Sequence, residues 1–148
     1  MASILLVAHA PMASALLAVA RHAYAECAQQ VSAVDVPPSA SLEEATALVT
    51  AALHALPEDE VLVLADAFGA TPSNAALAAS DGEPVRVVTG VNVPMLWRTL
   101  CYVQLPLGEL VTRAVDGGRQ GIMQVATPRR QNQPNRPLSD DPDQHSDQ

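Results

Sequence analysis

"VLVLADAFGATPSN", residues 61–74, decides how this chain is read. Five apolar residues run without a break from Val61 to Ala65. A strand that is apolar at every position has no solvent face, which marks a sheet covered on both sides. Asp66 ends the run and Gly69 gives a turn. Thr71 and Pro72 then suit the opening of a helix: a hydroxyl caps free N–H groups, and proline loses nothing there by lacking one. A buried strand passing through a polar loop into a helix is the unit of a parallel α/β sheet.

The same unit recurs on either side. "SILLVA" (3–8) reads as a buried strand that ends at His9. Leu16, Ala20, Ala23, Tyr24 and Cys27 then follow at helical spacing, so a helix is expected from Pro11 to Cys27. "QQVSAVD" (29–35) reads as a half-exposed strand, and Ser41 with Glu44 forms a capping box before a helix striped by Leu42, Ala45, Val49, Ala52 and Leu53. Beyond residue 74 the helix is expected to reach about Ser80, followed by a strand at "VRVVTG" (85–90) and a helix around Met95–Tyr102. A further helix at about Pro106–Asp116 is expected to stop at Gly117 and Gly118, and "GIMQVA" (121–126) reads as a last strand. The fold class is therefore α/β, a doubly wound and mostly parallel open sheet of about five strands. From Pro128 onward the chain is polar and rich in proline. The expected organisation is an α/β domain over 1–127 and a disordered tail over 128–148.

The 148 residues suit one domain with a sizeable core, and scarce aromatics (Phe68, Trp97, Tyr24, Tyr102) leave aliphatic and alanine side chains to fill it. The net charge is −8 and every basic residue is arginine. That balance argues against nucleic acid and against an anionic membrane, both of which call for a basic surface. Cys27 and Cys101 lie far apart with no metal-binding spacing, as expected of reduced cysteines in a cytoplasmic protein. The start of the chain lacks a basic signal-peptide region, and no apolar run reaches the ~20 residues of a membrane span.

Ligands of open α/β sheets bind beyond the carboxyl ends of the strands. His9 follows the first strand, Asp66 the third, and Thr89, Gly90 and Asn92 the fourth. A carboxylate holding one imidazole N–H leaves the other ring nitrogen as a nucleophile, so Asp66 suits His9 as an orienting partner. Helix starts near Pro11 and Pro72 would aim free N–H groups at the same space, as anion sites do. Ala10, Gly69 and Ala70 are small enough for an anion to approach the backbone, and Thr71 and Ser73 add hydroxyls. "FGATPSN" (68–74) is neither a P-loop nor a dinucleotide fingerprint. His22, His54 and His145 are read as solvated or packed, and Trp97 as packing on the core or on another subunit.

Four stretches carry a resemblance: "ILLVAHAPMASALL", "VLVLADAFGATPSNAA", "VVTGVNVPMLWRTL" and "GIMQVA", together spanning about 2–127. The chain resembles the IIA domain of the mannose family of the bacterial phosphoenolpyruvate-dependent sugar phosphotransferase system (PTS). The resemblance implies that His9 accepts a phosphoryl group from phospho-HPr and passes it to a IIB partner. It implies that Asp66 holds the histidine and that Thr71 contacts the phosphoryl group. Ala10, Gly69, Ala70, Ser73 and Asn74 complete the expected phosphoryl-binding set. It further implies a homodimer in which residues 121–126 are exchanged. No metal and no cofactor is expected. Ala10 and Ala70 stand where the family usually has glycine. No IIB domain is expected after this domain, so a regulatory role stands beside sugar transport. Two alternatives remain open: a sensor module with a degenerate site, and a metal-binding, chelatase-like enzyme, which would need a second histidine on the same edge.

Overall fold

The computed structural model describes residues 1–81 and 83–129. In chain order the elements are β1 (Ser3–His9), α1 (Met12–Ala23), a 3₁₀ turn (Cys27–Gln30), β2 (Val31–Val36), α2 (Leu42–His54), β3 (Val61–Ala65), α3 (Thr71–Ala79), β4 (Val85–Thr89), α4 (Val93–Cys101) and α5 (Leu107–Gln120). The four strands are parallel, in the order β2-β1-β3-β4.

Two-residue alternation along the strands feeds two cores. Ile4, Leu6, Ala8, Leu62 and Leu64 point to one face, where Leu16 of α1, Leu96 and Leu100 of α4, and Leu110 of α5 cover them. Leu5, Val7, Val61 and Val63 point to the other, beneath Val49 of α2 and Ala75 and Ala76 of α3. β1 and β3 are central, and both are buried along nearly their whole length. Each fully buried Leu or Val side chain stabilises the fold by about 1.5–3 kcal/mol.

Four expectations need correction. The sheet has four strands among the described residues, because 121–126 forms none. A strand requires a pairing partner, and this segment pairs with nothing in a single chain; Ile122, Met123 and Val125 are 77%, 70% and 79% exposed. α5 runs through Gly117 and Gly118 instead of stopping there. These glycines let α5 press on α4: a Cβ at Gly117 would lie 2.4 Å from Arg98 Cβ, and one at Gly118 2.7 Å from Met95 Cε. Close packing has overridden the local stop signal. α1 ends at Ala23, short of Cys27, where the chain turns and Tyr24 meets Trp97 edge-on with ring centroids 6.3 Å apart. Finally, Pro11 and Ala70 occupy the cap positions, so α1 begins at Met12, and Thr71 is the first residue of α3 rather than its cap.

Of the expected tail, Pro128 and Arg129 carry no regular structure, and residues 130–148 lie outside the described residues. No described helix is long and apolar enough to cross a membrane.

Candidate functional site

The chain winds from β1 outward to β2, then returns past β1 to β3 and β4. The direction of winding reverses between β1 and β3, and the crevice at such a point is where open α/β sheets take ligands. His9 is the last residue of β1 and Asp66 follows the last residue of β3. The His9 N–H donates to Asp66 Oδ2 at 2.9 Å, and His9 Nδ1 lies 2.6 Å from the same oxygen. Ala67 N–H donates to Oδ1 at 2.8 Å. The backbone oxygen of Asp66 accepts from Gly90 N–H at 3.0 Å, so one residue joins the ends of β1, β3 and β4.

Burial pushes the Asp66 carboxyl up, but hydrogen bonds from the His9 N–H, the His9 ring and Ala67 N–H outweigh it and hold the group below its ordinary value. An ionised carboxylate only accepts hydrogen bonds, which assigns the proton to Nδ1 and leaves the lone pair on Nε2. The side chain of His9 is 53% exposed and that of Asp66 only 10%. The ring is reachable while its orienting group is sheltered.

The β3–α3 loop supplies the other side of the crevice. Gly69 takes φ +79°, a conformation that favours glycine. Ala70 is at φ −86° and ψ 164°, ordinary extended backbone, and no side chain caps α3 among the described residues. Thr71 is half-buried at the first position of the helix. Ser73 is fully buried and its hydroxyl donates to Ala70 O at 3.0 Å. The Asn74 amide donates to Gly69 O at 3.2 Å. Ser73 and Asn74 thus brace the loop. Apart from glycines, no described residue has positive φ, so alanine fits at both 10 and 70.

The α1 start differs from expectation. Ser14 N–H donates to Asp35 Oδ1 at 3.0 Å and Ser14 Oγ to Asp35 Oδ2 at 2.5 Å. A carboxylate from β2 therefore already occupies the end of α1 that looked free in the sequence. Asp35 and Ser14 were missed as site neighbours. The available signal was a second strand-end acid, beside a strand whose end carries the histidine.

The remaining candidates fall elsewhere. Asn92 caps α4 by accepting from Met95 N–H at 2.8 Å, and it donates to Gly118 O at 3.1 Å, tying α4 to α5. His22 and His54 lie in the last turns of α1 and α2, the ends remote from the His9 edge. His145 lies outside the described residues. Among the described residues, no group of three or more His, Cys, Asp or Glu side chains could hold a metal ion.

Comparison with known proteins agrees with this fold. The EIIA-man family, described as the PTS system fructose IIA component, matches residues 3–115. The mannose/sorbose specific IIA subunit of the phosphotransferase system from Enterococcus faecalis superposes with a TM-score of 0.79 at 26% identity, covering 86% of this chain and 97% of that one. The PTS IIA protein associated with the fucose utilization operon of Streptococcus pneumoniae gives a TM-score of 0.65 at 28% identity, over 78% and 93% of the two chains. A 65-residue stretch is 43% identical to the PTS system mannose-specific EIIAB component of Escherichia coli (strain K12), covering 42% of this chain and 20% of that protein. The chain thus spans about a fifth of the length of the curated relatives it matches. Fold and relatives together define a component of the sugar phosphotransferase system. The chain belongs to the mannose-type EIIA family, EIIA-man.

Proposed function

We propose that the protein is a phosphohistidine carrier of the PTS. It accepts a phosphoryl group on His9 from the phosphohistidine of HPr. It then passes the group to a IIB partner or holds it as a regulatory signal. The observation that carries this reading is the 2.6 Å contact between His9 Nδ1 and Asp66 Oδ2 at the point where the sheet reverses. In uptake, the Nε2 lone pair attacks phosphorus. The bond from phosphorus to the donor's ring nitrogen breaks, and its electron pair stays on that nitrogen. Asp66 balances the charge that develops on the His9 ring.

The phosphoryl oxygens are received by the uncapped start of α3 and by the Thr71 hydroxyl, where aligned N–H groups favour an anion. Ala10, Gly69 and Ala70 present little bulk, while Ser73 and Asn74 hold the loop in shape. Delivery to an acceptor runs the same step in reverse. The transfer uses positioning and charge, with no metal and no cofactor.

In this reading residues 1–127 form the phosphotransfer domain, 128–148 lie outside it, and the protein works in the cytoplasm. The working unit is a homodimer. β4 is one of the two edge strands of the sheet, and open edges invite a further strand. The exposed Ile122, Met123 and Val125 offer the partner subunit's edge a matching apolar segment, so that 121–126 becomes a strand by exchange.

The test is incubation with phosphoenolpyruvate, enzyme I and HPr, followed by mass spectrometry. One acid-labile phosphoryl group on the wild type, and none on His9→Ala, is expected. An unlabelled wild type, or a fully labelled His9→Ala, sinks the reading.

A further inference from the structure

Asp35 and Ser14 lie outside the His9–Asp66 pair, yet they hold the same turn from the opposite side. β1 ends at His9 and α1 begins at Met12, so Ala10 and Pro11 alone join them. No side chain within this joint caps the helix that follows. The anchors come from the strands on either side of β1. From β3, Asp66 accepts from His9 N–H at 2.9 Å. From β2, Val36 O accepts from Ala10 N–H at 2.9 Å, and Asp35 takes both the N–H and the hydroxyl of Ser14. Asp35 stands opposite Ala8 in the register, one residue before the histidine. Two hydrogen bonds from a single residue to a single carboxylate fix position and orientation together.

We propose that the Asp35–Ser14 pair is a positioning device for His9, a proposal that rests on the phosphohistidine reading above. By fixing the first turn of α1 it fixes the short joint, and the ring is presented with Nε2 towards the donor. The pair also decides where the phosphoryl group goes. A carboxylate already sits at the positive end of α1, so a second anion there would meet like charge. Among the described residues no carboxylate caps the start of α3, which receives the group.

The experiment measures phosphorylation by phospho-HPr across Asp35→Ala, Ser14→Ala, Ser14→Thr and the double alanine variant. It is paired with long-range ¹H–¹⁵N spectra of the unphosphorylated His9 ring. Either alanine change is expected to lower kcat on the order of tenfold, since small misplacements of a reacting group are felt strongly, with little change in KM. The double variant is expected to be no slower than Asp35→Ala, because Asp35→Ala already removes both bonds from Ser14 and the lost hydroxyl then has no partner to lose. Ser14→Thr is expected to restore the rate. In Asp35→Ala the ring signals are expected to move from the Nδ1–H tautomer towards a mixture.

A folded Asp35→Ala with wild-type kcat and unchanged ring signals overturns the proposal. Should Asp35→Ala fail to fold, the Ser14 variants decide: a slow alanine and a restored threonine support it, and two wild-type rates overturn it. A wild type that accepts no phosphoryl group refutes the reading of His9, while the ring spectra still decide whether Asp35 positions it.

Discussion

Two helices begin at the edge of the sheet where His9 sits, and their first turns are treated in opposite ways. α1 starts just past Pro11, and the Asp35 carboxylate from β2 takes the N–H and hydroxyl of Ser14. α3 starts at Thr71-Pro72, and among the described residues no side chain makes a cap hydrogen bond to its end. Both ends carry the same partial positive charge, about half a unit. Where the protein supplies its own anion, the helix end serves as an anchor. Where it supplies none, the end is open to an anion from outside. "HAPM" and "ATPS" look alike as helix openings, and a carboxylate on a neighbouring strand distinguishes them.

The comparison breaks most sharply if α3 is given the cap that α1 already has. Ala70→Asp places a carboxylate at the α3 cap position. We expect folding stability to rise by about 1 kcal/mol in urea melts. We expect phosphoryl uptake to fall on the order of a thousandfold, as when anion-stabilising donors are lost. A stabilised variant with unchanged uptake would show that the phosphoryl group does not use this end. Thr71→Ala is milder and should slow uptake roughly tenfold, leaving stability within about 0.5 kcal/mol. At the other helix Ser14→Ala should cost about 1 kcal/mol of stability through the lost hydroxyl bond to Asp35, alongside its slower transfer.

The smallest effect is a pH dependence. Asp66 has a lowered pKa in the folded chain, so it adds stability above the ordinary carboxylate value of 3.8, and this is lost as pH falls through the lower folded value. Between about pH 5 and 3 the urea midpoint of the wild type should therefore drop further than that of Asp66→Asn. Equal slopes would remove Asp66 from the acid sensitivity of the fold.

Much of this was legible in the sequence where the cause is local. β1 and β3 are apolar at almost every position, so their burial could be read directly. His9 and Asp66 could be paired because strand ends share an edge. What stayed hidden depends on distant partners. Asp35 and Ser14 are 21 residues apart, and nothing in either neighbourhood announces the contact. Gly117 and Gly118 read as a stop until α4 is brought against them. Residues 121–126 have the composition of a strand, but pairing is a relation between segments, and a single chain offers this one no partner. Ser73 looked like an available donor, whereas its burial turns the hydroxyl back onto Ala70.

Trp97 is the only tryptophan of the chain. The residue is 40% exposed and its ring rests edge-on against Tyr24, where the far end of α1 lies beside α4. Asp35 fixes one end of α1, and the indole reports on the other. The protein therefore contains its own fluorescent gauge of helix seating. A tilt of α1, whether from phosphorylation, a partner or a lost anchor, should register as a shift in emission or in quenching by iodide, with no label attached.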